Sequence, residues 1–244
     1  MGELFRMSAA RSHLGTVRKI NEDSCLELPE QGLWVVADGM GGHKAGDYAS
    51  QLIVETLSEV GGHRSLGEFV GDVERRLLAV NERLIDEIGG PDADEMIGST
   101  VVALLAYHRL LAFVWAGDSR AYRLRGGVLR QLTRDHSEVE ELIARGELAR
   151  EEAEEHPSAN VITRAVGALN AHDTLEVGMS DLRPGDRYLL CSDGLYRVVQ
   201  DEEIAEHLAR FDPDEMCTRL IDLSLARRCT DNVTVVCVEF GAQD

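Results

Sequence analysis

Lysine is almost missing from this chain. Only Lys19 and Lys44 occur, and the 25 basic residues, nearly all arginine, face 44 acidic ones for a formal net charge of −19. Such a balance excludes nucleic acid as a general partner, because binding a phosphate backbone depends on clustered cations that release counterions. Cysteine is scarce too: the five thiols are odd in number and widely spaced, and no CxxC pair exists for zinc or redox chemistry, so they read as reduced and mostly buried. No apolar run approaches the roughly 18 residues of a membrane helix. Glu3, Arg6, Arg11 and Arg18 interrupt any signal core, and the expected location is the cytoplasm. The five prolines are scattered, and linkers, repeats and low-complexity stretches are lacking. At about 150 residues per domain the length allows one large domain or two small ones, with about 70–75% of the unfolded surface buried.

What is present alternates in blocks. Leu4 to Asp38 reads as strands, with the run Leu33-Trp34-Val35-Val36-Ala37 too short for a helix. Two helical segments follow. In the second, Leu66, Val70, Val73, Leu77, Val80, Leu84 and Ile88 step by three and four, and Gly89-Gly90-Pro91 stops it. Strands return from Gly98 to Leu132, with a turn at His108-Arg109. Ser137 to Glu155 is helical by propensity and acidic; strands resume near Val161 and at Arg187–Cys191. Helices over Asp201–Arg210 and Pro213–Arg227 precede a closing strand, Val233–Val238. Strands and helix pairs that alternate in bulk suggest antiparallel sheets flanked by helices.

The informative feature is where aspartates fall. Asp38, Asp118 and Asp193 each follow an apolar strand and each neighbours a glycine (Gly39, Gly117, Gly194), while Asp231 precedes the last strand. A single Asp-Gly marks a turn for conformational reasons. Four at comparable positions suggest convergence, and converging carboxylates raise one another's pKa unless cations neutralise them. Oxygen donors without a paired Cys/His set favour Mg²⁺ or Mn²⁺ over zinc. Two such ions about 3.5–4 Å apart can share a water and lower its pKa for in-line attack on phosphorus. Arg18 could clamp phosphate oxygens in a fork.

These residues carry a resemblance. Arg18-Lys19-Ile20-Asn21-Glu22-Asp23, Ala37-Asp38-Gly39-Met40-Gly41-Gly42-His43, Gly98-Ser99-Thr100, Gly117-Asp118-Ser119-Arg120, Ser192-Asp193-Gly194-Leu195 and Asp231-Asn232-Val233-Thr234 occur in the order found in bacterial type-2C metal-dependent serine/threonine protein phosphatases. The resemblance spans about residues 10 to 240. It implies an α+β fold, a four-layer α-β-β-α sandwich with two central antiparallel sheets, and one catalytic domain over 1–244. It further implies that Asp38 bridges two Mn²⁺ or Mg²⁺ ions, that the Gly39 carbonyl serves the first ion, and that Asp193 and Asp231 serve the second. By the same resemblance Glu22 and Asp23 act through water or as outer ligands, Asp118 with Asp193 holds a third, weaker ion, Arg18 contacts substrate phosphate, and Asn232 supports the last ligand.

Two positions depart from the pattern. Animal-type members have His directly after the Asp-Gly pair, where Met40 stands here; His43 is then either the proton donor to the leaving group or a residue that supports the site from outside or caps a helix. Asp47 replaces a glutamate common in bacterial relatives and keeps its charge at a helix start. Ser192 lacks a triad or nucleophile-elbow context and reads as structural. His136 and the remaining histidines show no paired spacing. The acidic stretch 136–165, with eight glutamates, matches the family's flap beside the cleft, either a solvated helical face or a mobile lid that favours basic-flanked phosphoproteins. The expected partners are phosphoproteins and a cognate serine/threonine kinase, with no membrane and no nucleic acid, for a chain acting as a monomer. A non-catalytic, phosphoprotein-binding regulator of the same fold is the rival, opposed by retention of every expected metal carboxylate. A Ca²⁺-binding module fails for want of a DxDxDG loop.

Overall fold

The computed structural model describes residues 4–41, 45–89, 96–153, 155–168 and 174–242. One antiparallel sheet runs β2 (Asp23–Leu28), β3 (Leu33–Gly41), β5 (Val101–Tyr107), β6 (Leu110–Ala116) and β9 (Glu176–Asp181), with β4 (Ile97–Ser99) also paired to β3. The other runs β1 (Leu4–His13), β11 (Val233–Ala242), β10 (Arg187–Cys191), β7 (Arg120–Arg125) and β8 (Val128–Gln131).

Alternation along the strands builds the layers. Trp34 and Val36 of β3 meet Val236, Val238 and Phe240 of β11 in a core between the sheets, with Trp34 and Tyr188 both packed edge-on against Phe240. The intervening Leu33, Val35 and Ala37 face the other way, under α1 (Ala45–Ser58) and α2 (Leu66–Glu87). On the far side Val233, Val235 and Cys237 pack beneath α4 (Asp193–Tyr196), α5 (Asp201–Arg210) and α6 (Pro213–Ala226). The result is the four-layer α-β-β-α sandwich. Continuous apolar runs such as β5 are buried on both faces because each sheet has a layer on either side.

The predicted stripe on α2 is buried from Leu66 to Leu84, with Phe69 added, and Ser65 caps the helix by accepting from the Glu68 amide at 3.1 Å. His108 takes the left-handed conformation expected of the β5–β6 turn, φ 53°. Two expectations fail. No strand forms near Val161; Ile162 makes only an isolated bridge to Ser137, and the strand β9 lies further on. Its partly exposed sequence, EVGMSD, carries no continuous apolar run because β9 is a sheet edge. The acidic helix also stops early: α3 covers Glu138–Arg145, Gly146 ends it at φ 73°, and a 3₁₀ turn follows at Arg150–Glu152. Val139 is its single buried residue, so little apolar surface sustains a longer helix. Among the described residues, no helix is long and apolar enough to cross a membrane.

Candidate metal centre and catalytic cleft

Antiparallel register brings Asp23 of β2 directly opposite Asp38 of β3. Side chains so placed share a face with Cβ atoms about 4.5–5.5 Å apart. Asp38 does not end its strand, as the sequence suggested, but lies inside it. At that point β3 exchanges one partner for another, β5 up to Val36 and β4 from Gly39 onward. The exchange occurs at Ser99-Thr100. The Thr100 amide donates to the Asp38 carbonyl at 2.8 Å, the Asp38 amide donates to Thr100 Oγ1 at 3.1 Å, and Ser99 Oγ donates to the Asp38 carbonyl at 3.0 Å. These bonds fix the Asp38 backbone without using its carboxylate. Thr100 Oγ1 also lies 2.7 Å from Ser119 Oγ, which ties the Asp118 loop to the same point. Gly117 at φ 100° turns that loop over Thr100; a Cβ there would lie 2.6 Å from the threonine methyl.

The loop carrying Arg18 and Glu22 is held from the opposite end of the chain. Asn232, nearly buried, accepts from the Glu22 amide at 2.8 Å and donates to the carbonyls of Leu14 at 3.2 Å and Ile20 at 3.0 Å. Arg18 reaches from this loop to Asp231, Nη2 to Oδ2 at 2.8 Å, and stays half exposed. Gly39 and Gly46 let three backbones meet. A side chain at Gly39 would strike the Gly46 carbonyl and lie 2.7 Å from the Glu22 carbonyl, and one at Gly46 would lie 2.8 Å from the Gly39 carbonyl carbon. The Gly46 amide also donates to the Glu22 carboxylate.

Asp193 opens α4 directly after β10 and Ser192. The Ser192 hydroxyl is fully buried, donates to Asp23 Oδ2 at 2.8 Å and accepts from the Thr234 amide at 3.0 Å, which fits the structural role expected of it. Burial first, then the repulsion of Asp23, Asp193, Asp118 and Asp231, pushes the Asp38 carboxyl well above its ordinary range. Burial, with neighbouring aspartates adding to it, pushes Asp23 and Asp118 up to about 7. Asp193 and Glu22 are raised as well, both mainly by burial. Asp23 thus stands opposite Asp38, Asp193 and Asp118 share Arg197, and all of these with Asp231 lie near enough to repel Asp38.

The donor set suits hard cations. Asp23 Oδ1 and Asp193 Oδ1 are buried with no hydrogen-bond partner, leaving two acceptor oxygens unsatisfied in a crowd of negative charge. Among the described residues, no group of three or more His, Cys, Asp or Glu side chains is placed so that it could hold a metal ion as it stands. Three of the site's carboxylates are already paired with arginines, Asp231 with Arg18 and both Asp193 and Asp118 with Arg197.

Arg197 was not legible as a site residue. Its signal was present: a basic residue four positions after a strand-end aspartate, at helical spacing. His136 is buried, stacks on Trp115 and accepts from the Gly117 amide at 3.2 Å, so it supports the Asp118 loop. His43 lies outside the described residues. A cleft of about 370 Å³ runs beside Asp118 beneath the acidic segment, lined by Arg120, Asp135, Glu140, Arg150, Tyr196 and Arg197 among others.

Fold and site together define a class: a four-layer sandwich that draws carboxylates from β2, β3 and the segments next to β6, β10 and β11 toward one another. The family model for protein phosphatase 2C matches residues 11–222, and the chain belongs to that family. Among similar proteins, serine/threonine protein phosphatase PstP of Mycobacterium tuberculosis is 40% identical over 228 residues, covering 93% of this chain; the chain spans 44% of that relative's length. Serine/threonine phosphatase stp of Listeria monocytogenes is 34% identical over 237 residues, 94% of each protein. Of solved structures, PppA, a key regulatory component of T6SS in Pseudomonas aeruginosa, superposes with TM-score 0.89 at 45% identity, covering 98% of this chain and 99% of that one. The catalytic domain of PstP in complex with two manganese ions superposes with TM-score 0.83 at 37% identity over 98% of this chain and all of that one.

Proposed function

We propose that this chain hydrolyses phosphoserine and phosphothreonine in proteins, reversing a serine/threonine kinase, with residues 1–244 as one monomeric catalytic unit in the cytoplasm. The observation that carries the reading is the convergence of Asp38, Asp23, Asp193, Asp118 and Asp231, with unsatisfied buried oxygens on two of them. Asp38 with the Gly39 carbonyl would serve a first Mn²⁺ or Mg²⁺ ion, Asp38 with Asp193 and Asp231 a second, and Asp118 with Asp193 a third. Glu22 and Asp23 would act from the outer shell. Bound divalent ions supply an activated water and neutralise phosphoryl oxygens.

The chain's own residues do the rest. Asp23, Asp38 and Asp193 offer closely set, buried carboxyls that would ionise on taking up divalent ions, which favours a metal-dependent displacement over a protein nucleophile. Ser192 Oγ is buried and committed to two hydrogen bonds, so it cannot take a phosphoryl group. Arg18, half exposed on an anchored loop, can leave Asp231 and fork onto the phosphate. For the leaving alkoxide the sequence offers His43. A His43→Gln variant should lose more activity on a phosphothreonine peptide than on p-nitrophenyl phosphate, whose leaving group needs no proton.

Hydrolysis of both substrates with Mn²⁺, with chelator, and by Asp38→Ala and Asp193→Ala proteins tests the whole reading. Activity is expected only in the Mn²⁺-loaded parent. Activity surviving both substitutions overturns the metal-dependent mechanism.

A further inference from the structure

Asp118 and Asp193 already share a cation, and it belongs to the protein. Arg197, four residues after Asp193, places Nε 2.7 Å from Asp193 Oδ2 and Nη2 3.7 Å from Asp118 Oδ2. Its remaining nitrogen, Nη1, donates to Asn160 Oδ1 in the 136–165 segment. One planar guanidinium thus joins both carboxylates to the segment above the cleft. The neighbouring Tyr196 is fixed by comparison. Its hydroxyl donates to Asp118 Oδ2 at 3.3 Å, and its ring lies 3.6 Å from the guanidinium of Arg120, which Asp135 grips from both oxygens. Arg197 is about one-third exposed and sits on a flexible stem, so it can leave without disturbing α4.

We propose that Arg197 is a tethered cation occupying the place between Asp118 and Asp193, and that a divalent ion taken up by this pair expels it and frees the 136–165 segment at Asn160. The proposal rests on the reading of Asp118 and Asp193 as metal carboxylates. A guanidinium and a divalent ion repel each other and compete for the same oxygens, so they cannot both serve the pair. Occupancy here is therefore set by competition with a side chain at fixed effective concentration. The same event exchanges a segment held by Asn160 for one released, with the bistable element supplied by the Arg197 side chain.

The test uses the full chain, Mn²⁺ titration calorimetry and hydrogen exchange of the amides around residues 155–165. Arg197→Gln is expected to tighten the weakest Mn²⁺ step about tenfold, equivalent to about 1.4 kcal/mol. In an Asp118→Asn background the same substitution should leave Mn²⁺ binding unchanged. Exchange in the segment should speed up when Mn²⁺ saturates the parent, and should already be fast without metal in Arg197→Gln. Asn160→Ala provides a second variant that keeps Arg197: its segment should exchange fast with or without Mn²⁺. Unchanged Mn²⁺ affinity in Arg197→Gln, while Asp118→Asn weakens the step, overturns the tethered cation and leaves the metal reading intact. A parent chain that binds no Mn²⁺ overturns both.

Discussion

Replacing Asn232 with alanine removes three hydrogen bonds from one loop. The Glu22 amide loses its acceptor, and the carbonyls of Leu14 and Ile20 lose their donor. Leaving a buried polar group unpaired costs about 1–3 kcal/mol, but these backbone groups are only part-buried, so water can reach some of them and the low end applies. The sum is about 2–3 kcal/mol. For a chain of this size each kcal/mol moves the melting temperature by about 2–4 °C, so the expected drop is about 4–12 °C. Activity should fall beyond what the stability loss explains, because the same loop carries Arg18 and Glu22; the deficit should appear chiefly in KM for phosphopeptide. Asn232→Asp separates the contributions, since its carboxylate can still accept from the Glu22 amide but cannot donate to either carbonyl. Thermal melting with Mn²⁺ and with chelator, alongside steady-state kinetics, reads the result. A melting temperature within about 2 °C of the parent, with unchanged KM, would refute the view that Asn232 anchors this loop.

Three further outcomes follow from the geometry. Gly39→Ala should cost several kcal/mol and abolish activity, as its methyl must displace the backbone of Gly46 or Glu22, and soluble, fully active protein would contradict the close approach. Burial pushes Asp23 and Asp118 up to about 7 in the folded chain, above the unfolded range, so the folded chain binds protons that the unfolded chain does not; metal-free stability should fall as pH rises from about 4 through about 7. Asp118→Asn should show a shallower fall, and equal slopes by pH-dependent melting would sink the assignment. The glutamates of the 136–165 segment should favour phosphothreonine peptides flanked by arginine over those flanked by glutamate, more so at low salt, and equal kcat/KM for the two peptides would count against that role.

The sequence carried the layering well because strand alternation and helical stepping are local. Leu33, Val35 and Ala37 against Trp34 and Val36 already split one strand between two cores. Asp118, Asp193 and Asp231 were legible because they flank apolar strands, where a rigid scaffold gives way to loops, and Asp38 because a glycine follows it. What escaped notice depended on partners distant in sequence. That β3 runs on past Asp38 is decided by β4, sixty residues away, and an edge strand such as β9 shows no apolar run to betray it. Arg197 looked like one of many exposed arginines until α4 turned it back onto Asp193 and Asp118.

The pairing of β1 with β11 has a temporal meaning. Leu4 lies opposite Ala242 and His13 opposite Val233, so the first strand of the described chain closes on the last. During synthesis β1 must wait, unpaired on that side, until β11 emerges, and a sheet assembled from such distant segments forms slowly. The carboxylates are divided by the same interval: Asp23 and Asp38 arrive early, Asp193 and Asp231 late. A chain synthesised only as far as residue 192 thus holds part of this carboxylate set, and Arg18 without its partner Asp231. The architecture itself delays the meeting of these carboxylates until the segment from Asp193 through β11 has emerged.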